Sequence, residues 1–240
     1  MTTRRVTTTR YPLRALVVGF LAAAGIAGGA IPSAVAAPVS GARLSSAATT
    51  STVVAGNSVV LTIRMQNAST GAAIVGVTVK LIARTDPNHP FGLAATATTN
   101  ASGVASATVK PLRNMQYEWT FAGNGTYPAT TSAIITILVA QALTITAARP
   151  SASTLSIYGT VAPNETGQAV GLQRQVNGVW RPFAAAVTIK SQRMPNGAIT
   201  VGYRFNLNGI GPGTYVVRTS RAATSINAAG TSKTLNLTLR

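Results

Sequence analysis

"MQYEWTFAGNGTYPATTSAIITILV", residues 115–139, decides how this chain is read. Met115, Tyr117, Trp119 and Phe121 alternate with Gln116, Glu118 and Thr120. Successive side chains on a strand point to opposite faces, so the segment predicts one dry face and one wet face. A Gly-Asn-Gly turn follows at 123–125, then Tyr127 and Pro128, then Thr and Ser ahead of a Val/Ile run. The expected structure is a corner between the last two strands of a sandwich. Asn124 and Gly125 tolerate positive φ there, and Pro128 breaks the ladder before the final strand. Loops at sandwich ends can also bind, and Tyr127 is a candidate platform for a sugar ring.

The same period of two runs outward in both directions. Val59, Leu61, Ile63 and Met65 share a face in "NSVVLTIRM", as do Val77, Val79, Leu81 and Ala83 in "VTVKLIAR". Farther on, Leu155, Ile157 and Val161 align around Gly159; Ile199, Val201, Tyr203, Phe205 and Leu207 form a second stripe; Leu235, Leu237 and Leu239 close the chain. Turn signals at Asn177-Gly178, Pro195-Asn196-Gly197 and Asn208-Gly209 separate these runs. A spacing of roughly ten residues between turns fits a sandwich or barrel. About seven strands are expected in each half, and no segment past residue 36 shows a helical period. Threonine, alanine, serine, valine and glycine dominate, which suits β-structure with many turns. The predicted class is all-β: two tandem antiparallel sandwiches, residues 47–140 and 141–240, with 37–46 as a loose leader. One large sandwich is the alternative. "ILVAQALTI" at the junction holds no Gly or Pro, so a short stiff connection is expected.

Residues 1–36 read as a signal peptide. Arg4, Arg5, Arg10 and Arg14 precede the uncharged apolar run 15–31, and "AVA" at 34–36 is an A-x-A cleavage site. An uncleaved anchor is the alternative, although the run is short and rich in Gly and Ala. Arg4-Arg5 lacks the residues that usually follow a twin arginine, so the general secretory route is expected. The chain carries a net charge of +17, of which +13 remains on 37–240. The only acids are Asp86, Glu118 and Glu165; there is one histidine, His89, and no cysteine. An exported fold without disulfides must rest on its apolar core, which domains of about 100 residues can build.

Two stretches resemble a known family. "TTNASGVASATVKPLRNMQYEWTFAGNGTYPATTSAIITILV" (98–139) is similar to the bacterial Ig-like repeats of secreted actinobacterial proteins. The likeness lies in the T-x-x-S-G turn, in Y-x-W-x-F-A-G and in Y-P-A-x-x-S before the last strand. "TGAAIVGVTVKLIAR" (70–84) resembles that family's G-x-x-V-x-L strand, and the match covers most of 53–140. In the second half, 159–180 and 211–222 look like a related cysteine-free module. Gly213-Thr214-Tyr215 there resembles the G-x-Y of a tyrosine corner. The resemblance implies Ig-like sandwiches and is almost silent on ligand.

Chemistry is sparse. A carboxylate pair for catalysis needs two acids about 5–10 Å apart. Glu118 reads as a solvent-face residue, and Glu165 lies in a turn without an evident partner. Asp86 and His89 share the loop "TDPNHPF", but no nucleophile motif accompanies them. No set of Cys, His and carboxylates has metal-ligand spacing, so no catalytic residue, metal or cofactor is expected. The hairpin "NGVWRPF" is the one cluster that suggests binding. It places Trp180 and Arg181 beside the turn, with Arg174 across from them, as a candidate platform for a sugar or anionic polymer. Packing of Trp180 beneath the hairpin is the competing reading. The basic surplus favours anionic partners such as wall polymers, acidic glycans or another surface protein, and nucleic acid is not expected for an exported chain. The expected function is a non-enzymatic structural or adhesive protein, secreted or loosely associated with the cell wall. The alternative is a binder of anionic cell-wall polymer or glycan, with no lasting membrane insertion once the signal is cut.

Overall fold

The computed structural model describes residues 41–151, 153–193, 197 and 199–240. The signal peptide, and the Pro195-Asn196 part of the expected turn, lie outside the described residues.

The first half holds nine strands: β1 (Ala42–Ala48), β2 (Thr52–Val54), β3 (Val59–Asn67), β4 (Thr78–Arg84), β5 (Gly92–Thr98), β6 (Val104–Val109), β7 (Met115–Phe121), β8 (Thr130–Thr131) and β9 (Ile135–Ala140). They form two sheets, ordered β1-β3-β6 and β2-β9-β7-β4-β5, with β8 paired to β7. The second half holds ten among the described residues: β10 (Ala142–Leu143), β11 (Thr146–Ser151), β12 (Thr154–Ala162), β13 (Ala169–Val176), β14 (Val179–Thr188), β15 (Lys190–Arg193), β16 (Ile199–Asn208), β17 (Gly213–Arg221), β18 (Gly230–Thr231) and β19 (Leu235–Leu239). Its sheets run β11-β12-β16-β15 and β14-β13-β17-β19, with β10 also on β12 and β18 on β17. All pairings between these strands are antiparallel except β2 with β9. Three strands face five in the first half and four face four in the second, and in both the third and sixth principal strands lie side by side, as in the Ig-like order. The protein is all-β, built of two tandem Ig-like sandwiches.

Alternation decides which residues fill each core. Val59, Leu61, Ile63 and Met65 are fully buried, and they meet Val79, Leu81, Tyr117, Trp119, Phe121, Ile137 and Val139 from the facing sheet. Leu155, Ile157, Val170, Leu172, Tyr203, Phe205 and Val217 form the second core. Ile199 departs from its expected place. It is 70% exposed, because β16 starts in a hairpin with β15 that outruns the core. Residues 42–46 are not a loose leader either: β1 pairs with β3 along its whole length, from Ala42 opposite Asn67 to Ala48 opposite Leu61. "RLSSA" alternates too weakly in hydrophobicity to announce a strand, but the open edge of β3 supplies it with a ladder. The excess over about seven strands per half comes largely from two- and three-residue pieces that patch sheet ends.

The F–G corner, between the sixth and seventh principal strands, occurs twice at an offset of one hundred residues. Ser132 Oγ accepts from Trp119 N–H at 3.0 Å, and Ser232 Oγ accepts from Thr219 N–H at 3.0 Å. Thr131 faces Thr120, and Thr231 faces Ser220. In both copies the serine hydroxyl turns back onto the next carbonyl, so one short polar side chain satisfies the backbone where the chain crosses out of β7 or β17.

The F–G loop of the second sandwich meets the link before β7 and the end of β9 in the first. Asn227, fully buried, donates its Nδ2 hydrogens to the carbonyls of Leu112 (3.0 Å) and Val139 (3.2 Å). Ala228 N–H donates to Val139 O, and Asn114 N–H donates to Ile226 O. Asn114 Oδ1 in turn accepts from Val139 N–H at 2.8 Å. Parallel bridges join Ala140 to Ala228 and Leu143 to Ser232. Gly230 is required there, since a Cβ on it would lie 2.2 Å from the Gln141 carbonyl oxygen.

Candidate functional site

Residues 120–132 form the expected corner between β7 and β9, with β8 inside it. Positive φ falls on Gly123 (86°), not on Asn124 or Gly125. A Cβ at Gly123 would lie 2.8 Å from the Ala129 nitrogen, so the tight return of the loop needs glycine there. Asn124 acts through its side chain instead: Oδ1 accepts from Thr126 N–H (2.9 Å) and Tyr127 N–H (2.8 Å). Tyr127 is half-buried against the first core. A cleft of about 330 Å³ lies beside the corner, lined by Val77, Lys80 and Asn124 among others.

The hairpin of β13 and β14 turns at Asn177 (φ 51°) and Gly178 (φ 78°), the conformation that the Asn-Gly pair announces. Trp180 pairs with Gln175, and Arg181 with Arg174. Neighbours on a strand point to opposite faces, so Trp180 and Arg181 do not make one platform. Trp180 lies half-exposed with the guanidinium of Arg218, from β17, 4.2 Å above its ring. Arg218 Nε also donates to Gln173 at 2.8 Å, which fixes the guanidinium over the ring. Arg174 sits 5.3 Å over Phe183, and Phe183 stacks on Tyr215 at 5.7 Å. Tyr215 donates its hydroxyl to the Gly211 carbonyl at 3.1 Å, completing the tyrosine corner. Arg174 and Arg181, both exposed, are like charges directly opposite each other, an arrangement that costs stability in the free protein. Arg218 was not singled out in the sequence. Its only signal is its place between buried Val217 and Thr219, which turns it outward on β17, and long-range register alone brings it to Trp180.

The acids are separated. Asp86 pairs with His89 Nδ1 at 2.7 Å in an exposed loop. The Asn88 backbone N–H, with help from His89 and Thr85, holds the Asp86 carboxyl below its ordinary range. Glu165, expected to lack a partner, pairs with Arg221 at 2.5 Å. Arg221 is almost wholly buried at the end of β17, so sheet formation and not loop sequence creates that pair. Among the described residues no three His, Cys, Asp or Glu side chains cluster as metal ligands would. No helix among them is long and apolar enough to cross a membrane.

No protein-family model matches the chain, and no curated protein does. Among solved structures, a tetra-tandem repeat from the extending region of a large adhesion protein is 18% identical, with a TM-score of 0.37, over 84% of this chain and 50% of that one. The Yersinia pseudotuberculosis adhesin InvE is 16% identical (TM-score 0.36), over 82% of this chain and 58% of that one. The D0-D1 domain of Intimin is 15% identical (TM-score 0.32), over 81% and 97%. The chain thus spans about half the length of the first of these.

Proposed function

We propose that this chain is an exported, non-enzymatic structural or adhesive protein in which residues 47–140 and 141–240, after a cleaved signal at 1–36, act as one stiff unit. The buried Asn227 clamp carries this reading. A free tether between sandwiches needs no main-chain bonds across the junction, whereas here Asn114, Asn227 and Ala228 all donate across it. Such a joint holds one sandwich at a set angle to the other, which suits a spacer or a presenting arm more than a hinge. The chain has no cysteine, so two can be introduced for spin labels at exposed Ser69 and Asn177. A single narrow distance distribution is expected; a broad one overturns the stiff-unit reading.

A second reading is supported by the Arg174–Arg181 pair: the basic surface binds an anionic cell-wall polymer or glycan. No acid offsets that pair, since Glu165 is engaged by Arg221 and the other two acids belong to the first sandwich. Purified 37–240 pulled down with isolated bacterial cell walls tests it. Binding that fades between about 0.1 M and 1 M salt is expected, because the screening length falls from about 10 Å to 3 Å. No binding at either salt removes this reading.

A further inference from the structure

The outward face of the β11-β12-β16-β15 sheet is a different surface from the Trp180 face. Tyr203, Phe205 and Leu207 point into the core, so Arg204, Asn206 and Asn208 point out. Leu155 and Ile157 likewise turn Thr154, Ser156 and Tyr158 outward. Two rungs cross this face: Thr154 donates its hydroxyl to Asn208 Oδ1 at 2.9 Å, and Ser156 donates to Asn206 Oδ1 at 2.8 Å. Each hydroxyl occupies the amide oxygen, which leaves the Nδ2 groups as outward donors without a partner among the described residues. Ser156 is only 2% exposed although it lies on the outward face, so the surface around it is concave. Clefts of about 450 Å³ and 360 Å³ flank the ridge and share Arg204 and Asn206, and Lys190 lines the second. Arg204 donates through Nη2 to the Arg193 carbonyl, which anchors its guanidinium between the clefts.

The free groups here are mostly donors, with two cations among them, and no carboxylate lines either cleft. The ligand must therefore bring acceptors, and at least one of them must be anionic to meet Arg204 and Lys190. Asn206 and Asn208 are two residues apart, about 7 Å along the strand, so the donor row is longer than a single small anion. Tyr158, cross-strand from Arg204 on the same face, offers an aromatic ring to the apolar side of a sugar. We propose that this face binds an acidic polysaccharide: Arg204 and Lys190 take a carboxylate, and the Asn206 and Asn208 amides take ring and hydroxyl oxygens. The proposal rests on the polymer-binding reading above and gives it a site and a ligand class.

The test is calorimetric titration of 37–240 with polygalacturonate oligomers, beside the same oligomers methyl-esterified and beside polyphosphate. The acid form should bind, the ester at least about tenfold more weakly, as expected when a charge-assisted bond is lost. Asn206→Asp keeps the acceptor for Ser156, removes the amide donors and adds a repelling charge, so it should weaken binding about tenfold. Asn208→Asp reads the same row if the first variant fails to fold, as judged by its melt. Arg64→Gln, an exposed position on β3 of the first sandwich, should change affinity by less than about twofold. No binding by the wild type, equal binding of the ester, polyphosphate bound as tightly, or Arg64→Gln weakening as much as Asn206→Asp would each overturn the proposal. The cell-wall pull-down is a separate readout: salt-sensitive wall binding by a chain that fails with polygalacturonate overturns this site and leaves the polymer-binding reading standing, whereas loss of both overturns both.

Discussion

Gln141 shows at residue scale what the junction asks of a side chain. It is 1% exposed, and neither end of its amide has a partner among the described residues. Burying an amide without partners costs about 1–3 kcal/mol. Gln141→Leu is therefore expected to raise stability by about 1 kcal/mol, read as a higher urea midpoint with unchanged slope. Asn227 differs: both its amide hydrogens are used, and only its Oδ1 lacks a partner among the described residues. Asn227→Ala leaves the Leu112 carbonyl unpaired and takes one of two donors from the Val139 carbonyl, and should cost about 1–2 kcal/mol and broaden the spin-label distances. Glu165→Ala strands the buried guanidinium of Arg221, at a cost of about 3 kcal/mol, while Glu165→Leu with Arg221→Met together should cost less. Chemical denaturation of the two variants side by side checks that order.

The buried tyrosines set an alkaline limit. Burial pushes the hydroxyls of Tyr117 and Tyr203 up to about 12, with the Thr219 hydrogen bond opposing the rise at Tyr203. An unfolded tyrosine ionises near pH 10, so between about 10 and 12 the unfolded chain holds fewer protons than the folded one. Stability is full below about pH 10 and falls as pH rises through that window, by up to about 2 kcal/mol per tyrosine. Tyr203→Phe should lower stability at neutral pH, since Thr144 O and the Thr219 hydroxyl lose their partner, and should flatten the alkaline fall. Urea midpoints between pH 8 and 12 show both effects.

At the scale of elements, β12 depends on the absence of one side chain. A Cβ at Gly159 would lie 1.9 Å from the Thr144 carbonyl oxygen and 2.6 Å from the Tyr203 hydroxyl. Gly159→Ala must push β10 and its following residue off β12, and a loss of about 3 kcal/mol is expected by thermal melt. In the sequence this glycine was legible only as a gap in an apolar stripe, because the atoms it admits come from 15 residues before and 44 after. The main strands were legible because period two survives in any context that buries one face. The weak ones were not: β1 alternates Arg, Leu, Ser and Ala, and only the free ladder of β3 makes it a strand. At the hairpin, Asn177-Gly178 announced the turn by its φ requirement. Which face Trp180 occupies followed from the register with Gln175, and that a cation covers it followed from β17, which is distant in sequence.

For the whole molecule, the clamp couples two cores that are otherwise separate. Four donated bonds and the Ala140–Ala228 bridge link them, so heating should give one transition for the wild type. Asn227→Ala should split it into two, visible by differential scanning calorimetry as a ratio of van't Hoff to calorimetric enthalpy below one. Charge acts at the same scale. The surplus of +13 on 37–240 is nowhere gathered in a run along the chain. Folding collects part of it: Arg174 opposite Arg181 on one sheet, Arg204 near Lys190 on the other.

By itself the sequence determined the all-β class, the division into two halves, the inward residues of the long strands and the tight turns. These depend on side-chain alternation and on backbone conformations that few residues accept, and both are local. The tertiary structure alone decided the Glu165–Arg221 pair, the capping of Trp180 by Arg218, the donor row at Asn206 and Asn208 and the Asn227 clamp. Each of these joins residues between 38 and 115 positions apart, where the strand register and sheet order, and no local preference, choose the partner.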